Sequence, residues 1–503
     1  MDQHEKKKII GSINWNFLNT VLQTLLTFGV GVVLARILEP EDFGLFGLTI
    51  IILGLINIIF SPSISRFIVH KENIEKMDIE TSLGISILLS LLLYSIIWFI
   101  SPFVAIFFNN EQLTELIRIY TVSIFFIALS SVLRGILIKN MNFRLLFYSD
   151  MVAMLFGYSV CSIIMAINGF GVFSLIYASV LKEALLLITL IGFSKVRFLF
   201  RIDSTRIKGI FWYSSGVSLS SIFGYTANNA DYIVIGKFLN PTALGLYTRA
   251  FTIMTLPLSK ISMTIYDVIF SVFSSVKEDI EQIKNIYLKS IKIIALISFP
   301  ILSFMMISSE LIINGLYGEK WNGAVTVLKI LCIAGFFRVI TNSSGAVAKA
   351  TGKVYKEAWR QLIFALVLII GALISYKYGI EGVGVAVVIS SVIFYLSMAH
   401  LTIQIINITW IEFLKSQFPG IVIVLIISLI NLVALNIVDF FFTKEMYLLK
   451  LAILMIVSSI SFLILIKTLP SKLIGEEGRN LLSLYFEKLK SISARAINYA
   501  DSN

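Results

Sequence analysis

The sequence predicts an all-α polytopic membrane protein. About 14 transmembrane helices are expected, as two six-helix bundles related by a pseudo-two-fold axis along the membrane normal plus two C-terminal helices. Three observations predict this. First, 57% of the 503 residues are hydrophobic and only 14% are charged, with a mean hydropathy of +0.91; a soluble domain carries about a quarter charged residues. Second, apolar runs long enough to cross a bilayer recur to the end of the chain, and basic residues alternate between the connections. Third, one turn is written twice: ILEPEDFGLF at 37–46 returns as FLNPTALGLY at 238–247.

The flanking chemistry justifies each span in order. The N-terminal stretch MDQHEKKKII precedes a first span over 12–36. No short apolar stretch with a small-residue cleavage site follows it, so this span reads as retained rather than as a signal peptide. Spans 43–65 and 80–106 are joined through Arg66, Lys71 and Lys76, and spans 113–138 and 145–168 through Lys139 and Arg144. Span 170–194 leads into Lys195, Arg197, Arg201, Arg206 and Lys208, before span 210–236. Lys277, Lys284 and Lys289 lie where span 243–272 passes to 284–308. Lys349, Lys353 and Lys356 lie where span 322–348 passes to 357–378. Spans 380–405, 417–438 and 446–467 complete the set. The opposite connections carry only Arg36, Lys237, Lys320, Lys377 and Lys444. That is the positive-inside pattern, with both termini cytoplasmic. The net charge of +11 then reflects an inner face meeting anionic lipid, and no nucleic-acid partner is needed.

The repeated turn gives the domain organisation. Leu38, Pro40, Gly44 and Leu45 match Leu239, Pro241, Gly245 and Leu246. A second echo pairs GFGVFSLIYASVL at 169–181 with GIEGVGVAVVISSVI at 379–393. Two matches, in the same order and on the same side, point to a duplication of six spans. An even number keeps both halves in one orientation. The predicted divisions are a first lobe at 1–194, a basic cytoplasmic linker at 195–209, a second lobe at 210–406, two extra spans within 407–468, and a cytoplasmic tail at 469–503. In the tail, Leu482, Phe486, Leu489 and Ile492 oppose Lys488, Lys490 and Arg495, as in a helix lying on the inner leaflet or a plain solvated tail.

Four phrases carry a family resemblance: LARILEPEDFGLFGL (34–48), RGILIKNMNFR (134–144), NNADYIVIGKFLNPTALGLYTRAFTIMTLPLSKI (228–261) and LYGEKWNGAV (316–325). In that order the chain resembles the polysaccharide and oligosaccharide flippases of the MOP superfamily, the Wzx-type lipopolysaccharide exporters. The resemblance runs over about residues 10–410. It implies movement of an undecaprenyl-pyrophosphate-linked glycan from the inner to the outer leaflet of the bacterial cell membrane. Membrane lipids and polysaccharide polymerase machinery are implied partners. The chain departs from the family after Phe270, where FSVFSSV lacks a proline common near the end of span 8.

Charges inside the spans are the candidate chemistry, because each costs about 2.5–3.5 kcal/mol at a helix centre on insertion scales. Guanidinium forks pair well with phosphate oxygens. Arg249, Lys260, Arg338, Lys182 and Arg118 are therefore candidate contacts to a pyrophosphate, with Asn228 and Asn229 candidates for the glycan. Asp231 is the candidate for ion coupling. Each has a plainer reading. Arg249 pairs with Asp231 to pin spans 7 and 8; Lys260, beside Pro257, snorkels to headgroups; Arg118, near Glu111 and Glu115, is structural. Lys182 and Glu183 are adjacent, about 100° apart on a helix, so each is expected to find another helix rather than the other. Arg134 and Arg360 read as lipid-facing anchors, and Asn228 and Asn229 as links to neighbouring helices.

Other function classes fit less well. A drug/ion antiporter of the MATE type or a peptidoglycan-precursor flippase would use the same fold, but a drug exporter favours acidic interior residues. Here basic residues outnumber Asp231 and Asp267. A membrane-bound glycan polymerase or ligase needs a large outer loop or a carboxylate and histidine constellation. The longest outer connection is near 309–321, and His4, His70 and His400 are far apart. The chain is therefore read as a non-enzyme. Cys161 and Cys332 give neither metal spacing nor a disulfide framework, no nucleotide loop is present, and no cofactor is expected.

Overall fold

The computed structural model describes residues 3–71, 74–194, 225, 229–275, 279–443 and 445–470, with the side chains of 3–10, 13, 55–67, 70 and 259–275 left aside. The predicted linker, most of span 7, the amphipathic tail, Asn228, and the side chains of Lys260 and Phe270 lie outside the described residues. Everything regular among the described residues is helical. Ten stretches of them are long and apolar enough to cross a membrane. The protein is an all-α, multi-pass membrane protein. The chain divides into two compact units, Met1–Thr248 and Arg249–Asn503.

In the first unit the helices are α1 (Gln3–Ile37), α2 (Pro40–His70), α3 (Lys76–Phe108), α4 (Gln112–Thr121), α5 (Ser123–Lys139), α6 (Phe143–Val152), α7 (Cys161–Ile167), α8 (Val172–Ser194) and α9 (Ala230–Phe238). α5 is central, packed against α2, α3 and α8, while α1 lies on α6. Leu133, Leu137, Leu146, Ala153, Leu186, Leu187 and Leu190 form the apolar core at its middle. The short split before α8 is real: Gly169 and Gly171 take φ of +81° and +52°, which reverses the chain at no steric cost. Two features differ from the predicted spans. The predicted span 113–138 breaks at Val122 into α4 and α5, with Val122 still near helical geometry (φ −57°, ψ −32°). The predicted span 145–168 carries eight residues of π-helix, Ala153–Val160, between α6 and α7. There Gly157 lies so close to α8 that a Cβ would stand 2.6 Å from the Lys182 Cα.

α10 (Pro241–Ser275) begins in the first unit and continues into the second. The second unit adds α11 (Ile280–Ile307), α12 (Ser309–Leu316), α13 (Ala324–Ala350), α14 (Val354–Ser375), α15 (Gly379–Ile406), α16 (Trp410–Phe441) and α17 (Tyr447–Thr468). α13 sits between α11 and α15, and α14 covers α15. Gly379, at φ +75°, separates α14 from α15 after one 3₁₀ turn. The two extra spans, α16 and α17, join this unit through α11, with Leu296, Ile423, Ile427 and Ile466 as the shared core. Between membrane helices small residues let backbones approach closely. Gly420 does this on α16: a Cβ there would stand 2.8 Å from the Ala295 carbonyl oxygen. Gly420→Leu is therefore expected to push α16 off α11 and cost about 1–3 kcal/mol. Thermal denaturation of the purified protein checks this, with Gly29→Leu, where nothing lies within 4 Å, as the silent control.

Candidate functional site: intramembrane charges and a paired turn

The two copies of the repeated turn meet inside the first unit. Both open on a proline and are closed by a side chain that accepts a backbone N–H. Pro40 and Pro241 open α2 and α10, where a missing N–H is of no consequence. The Asn240 side chain accepts the Ala243 N–H at 2.7 Å, and Asp42 accepts the Glu39 N–H at 3.0 Å. One turn on, a Cβ at Gly44 would stand 1.8 Å from the Pro241 carbonyl oxygen. A Cβ at Gly245 would stand 1.8 Å from the Pro40 carbonyl oxygen. The contact is reciprocal, as a local two-fold axis requires. Neither glycine tolerates any side chain without separating the helix starts.

Deeper in the first unit, four ionisable groups and two phenols gather among α1, α4, α5, α6, the π segment and α8, with the Tyr225 phenol beside them. The Arg134 guanidinium on α5 is ion-paired with Asp150 on α6. Asn19 Nδ2 on α1 donates to the other Asp150 oxygen at 2.7 Å, and Gln23 Nε2 donates to the Asp150 carbonyl at 3.3 Å. Lys182 Nζ donates to Glu183 at 3.0 Å, and Glu183 lies near both Arg134 and Tyr120. Tyr158 and Tyr225 also approach Tyr120. Arg134 is thus a half-buried tie between two spans, not a lipid-facing anchor. Asp150 was not singled out from the sequence, although an aspartate inside an apolar run was the available signal. Lys182 and Glu183 do bond each other, against expectation. Their Cβ atoms diverge, but the lysine chain is long enough to curl back across the helix surface.

The remaining candidates fall into separate places. Asp231 is 2% exposed and accepts the Tyr247 hydroxyl at 2.7 Å. Asn229 Nδ2 donates to the Tyr225 carbonyl at 2.7 Å. Arg118 donates to the Ser101 hydroxyl at 3.1 Å and the Trp98 carbonyl at 3.3 Å, with its guanidinium 4.2 Å above the Trp98 ring. It lines a cleft of about 580 Å³ with Glu111 and Glu115, in keeping with a structural role. In the second unit, Arg249 is hydrogen-bonded to Tyr317, which is 2% exposed. Burial pushes the Tyr317 phenol pKa up, and the guanidinium opposes that. The motif LYGEKWNGAV is thereby explained. Tyr317 packs on Trp321 at 5.6 Å, and Gly318 takes φ +100° between them. Arg338, half-buried in the middle of α13, has its guanidinium 5.2 Å from the Phe251 ring centre. Arg360 is no lipid anchor either: it donates to the Ser397 carbonyl at 3.0 Å, tying α14 to α15.

The profile of the family described as polysaccharide biosynthesis protein matches residues 33–326. The chain belongs to this family. It is 25% identical over 69% of its length to the teichuronic acid biosynthesis protein TuaB of Bacillus subtilis (strain 168), covering 72% of that protein. It is 22% identical over 78% of its length to the lipopolysaccharide biosynthesis protein WzxC of Escherichia coli (strain K12), covering 81% of that protein. Among solved structures its fold is similar to the lipid II flippase MurJ in an inward closed conformation. That match has a TM-score of 0.73, 17% identity, and covers 90% of this chain and 97% of that one. A MATE family multidrug resistance transporter of the MOP superfamily matches at a TM-score of 0.64, with 20% identity and coverage of 76% and 94%.

The region matching the polysaccharide biosynthesis family contains both paired turns, the Arg134–Asp150 pair, Lys182, Glu183 and the Arg249–Tyr317 contact; Arg338 lies beyond it. Asp150 and Glu183 also change the charge comparison. With them included, Arg134 and Lys182 are balanced, so the interior of the first unit is ionic rather than basic. In this family member Asp150→Asn takes the directly paired carboxylate from a guanidinium within a span and leaves it only the more distant Glu183. The expected cost is up to about 3–5 kcal/mol, less where water reaches Arg134. Adding Arg134→Gln should restore most of the loss. A double-mutant cycle in thermal denaturation checks it, and additive losses would show that the pair is energetically idle.

Proposed function

We propose that the protein flips an undecaprenyl-pyrophosphate-linked oligosaccharide, an O-antigen, capsule or exopolysaccharide repeat unit, from the inner to the outer leaflet of the bacterial cell membrane. Alternating access between lobes at 1–194 and 210–406 is the proposed mode, with both termini cytoplasmic and polymerase machinery as the receiving partner. The family supports the cargo class. The observation that carries the reading is Arg338. A guanidinium at mid-span of α13 is expensive to keep in hydrocarbon, and a multivalent anion crossing at that depth supplies a reason. Arg249 is better read as a structural partner of Tyr317.

Binding of purified protein to the lipid-linked oligosaccharide tests this. Arg338→Gln is expected to weaken binding about tenfold, the worth of one charge-assisted contact, with an unchanged melting temperature. Equal binding by wild type and variant would remove the role. The acidic pair Asp150 and Glu183 favours a second reading, a drug/ion antiporter on the same fold. A cationic dye that competes with the lipid-linked glycan would favour that alternative.

Asp231 remains the proposed coupling group. It is buried, and its carboxylate is held by the Tyr247 hydroxyl. Asp231→Asn is expected to abolish the dependence of transport on an ion gradient in proteoliposomes. Transport that responds to the gradient as before would assign coupling elsewhere.

A further inference from the structure

A cleft of about 390 Å³ opens in the second unit where α16 and α17 meet α12 and α13. Every charged group in it sits at the same face of the membrane helices. Glu310 is in the first turn of α12, Asp439 in the last turn of α16, and Lys450 in the first turn of α17. Lys329 lies in the second turn of α13. Lys450 is 4% exposed and donates to Asp439 at 2.6 Å, so these two cancel. Lys329 and Glu310 are exposed, and neither has an ion-pair or hydrogen-bond partner among the described residues. The cleft therefore offers one cation and one anion to a visitor. About half its wall is apolar, supplied by Ile307, Leu311, Leu435 and Phe442.

We propose that this cleft holds the headgroup of a zwitterionic phospholipid, with the phosphate on Lys329 and a primary ammonium on Glu310. Charge complementarity selects this ligand. An anionic headgroup without an amine would leave Glu310 unanswered, and a free metal cation would leave Lys329 unanswered. The apolar wall, at the level where helices end and acyl chains begin, selects a lipid over a soluble phosphate. Primary ammonium matters as well as charge, because it donates hydrogen bonds to a carboxylate and a quaternary ammonium does not. The site does not depend on which cargo the protein moves.

The test is lipid retention by the purified full-length chain, read by native mass spectrometry. The probes are phosphatidylethanolamine, phosphatidylglycerol and phosphatidylcholine of matched acyl chains. Wild type is expected to retain phosphatidylethanolamine about tenfold over the other two. Glu310→Gln should bring that ratio with phosphatidylglycerol towards unity. Lys329→Gln should lower retention of both, and Lys329→Arg should restore it, which separates loss of a phosphate contact from loss of fold. Glycerophosphoethanolamine, which has the headgroup but no acyl chains, should not displace the lipid. Equal retention of the three lipids by wild type, or an unchanged ratio in Glu310→Gln, would overturn the proposal. Displacement by the chain-free headgroup would show a soluble-phosphate site instead.

Discussion

Two carbonyl oxygens set against two glycines fix how the first unit is built. Pro40 and Pro241 each present a carbonyl to the glycine one turn into the other's helix. At a separation this small, any side chain at Gly44 or Gly245 clashes with backbone, and backbone cannot rotate out of the way. The remainder follows from that approach. α2 and α10 must start side by side, a Cβ at Gly47 would then meet the Thr248 methyl at an ordinary 3.6 Å, and one at Gly236 on α9 would stand 2.5 Å from a Leu48 methyl. The same phrase is written twice because each copy is the socket for the other.

Membrane burial imposes the second constraint, that ionised groups be answered inside the protein. Arg134 is answered by Asp150, Lys182 by Glu183, and Lys450 by Asp439. Arg118 and Arg360 are instead answered by backbone carbonyls. Such pairs are poor sources of stability but strong selectors of one arrangement, since a misplaced helix strands a charge in hydrocarbon. The polar interior is thus a device for register.

Much of this was legible in the sequence, for identifiable reasons. Gly169, Gly171 and Gly379 mark short turns that only positive φ allows, so the closest splits between spans could be read directly. The break at Val122 and the π turns over Ala153–Val160 could not. SIFFIAL and AMLFGYSV have the composition of any lipid-facing helix, and the change lies in hydrogen-bond register alone. Among site residues, Arg338 and Asp231 stood out because a charge in an apolar run needs a reason. Arg134 misled because its nearness to a helix end suggested snorkelling, whereas its partner is on the next span. Lys182 misled because angular separation on a helix ignores side-chain length.

The ion pairs share a property that concerns how the chain is made. Arg134 and Asp150 are 16 residues apart, Lys450 and Asp439 are 11 apart, and Lys182 and Glu183 are neighbours. Each pair therefore lies within one helical hairpin or one helix. A hairpin that leaves the insertion machinery as a unit carries its countercharge with it and never presents a lone ion to lipid. Long-range pairs such as Lys284 with Glu412 are the exception, and they join helices near their ends, where water can wait with the charges until the partner arrives.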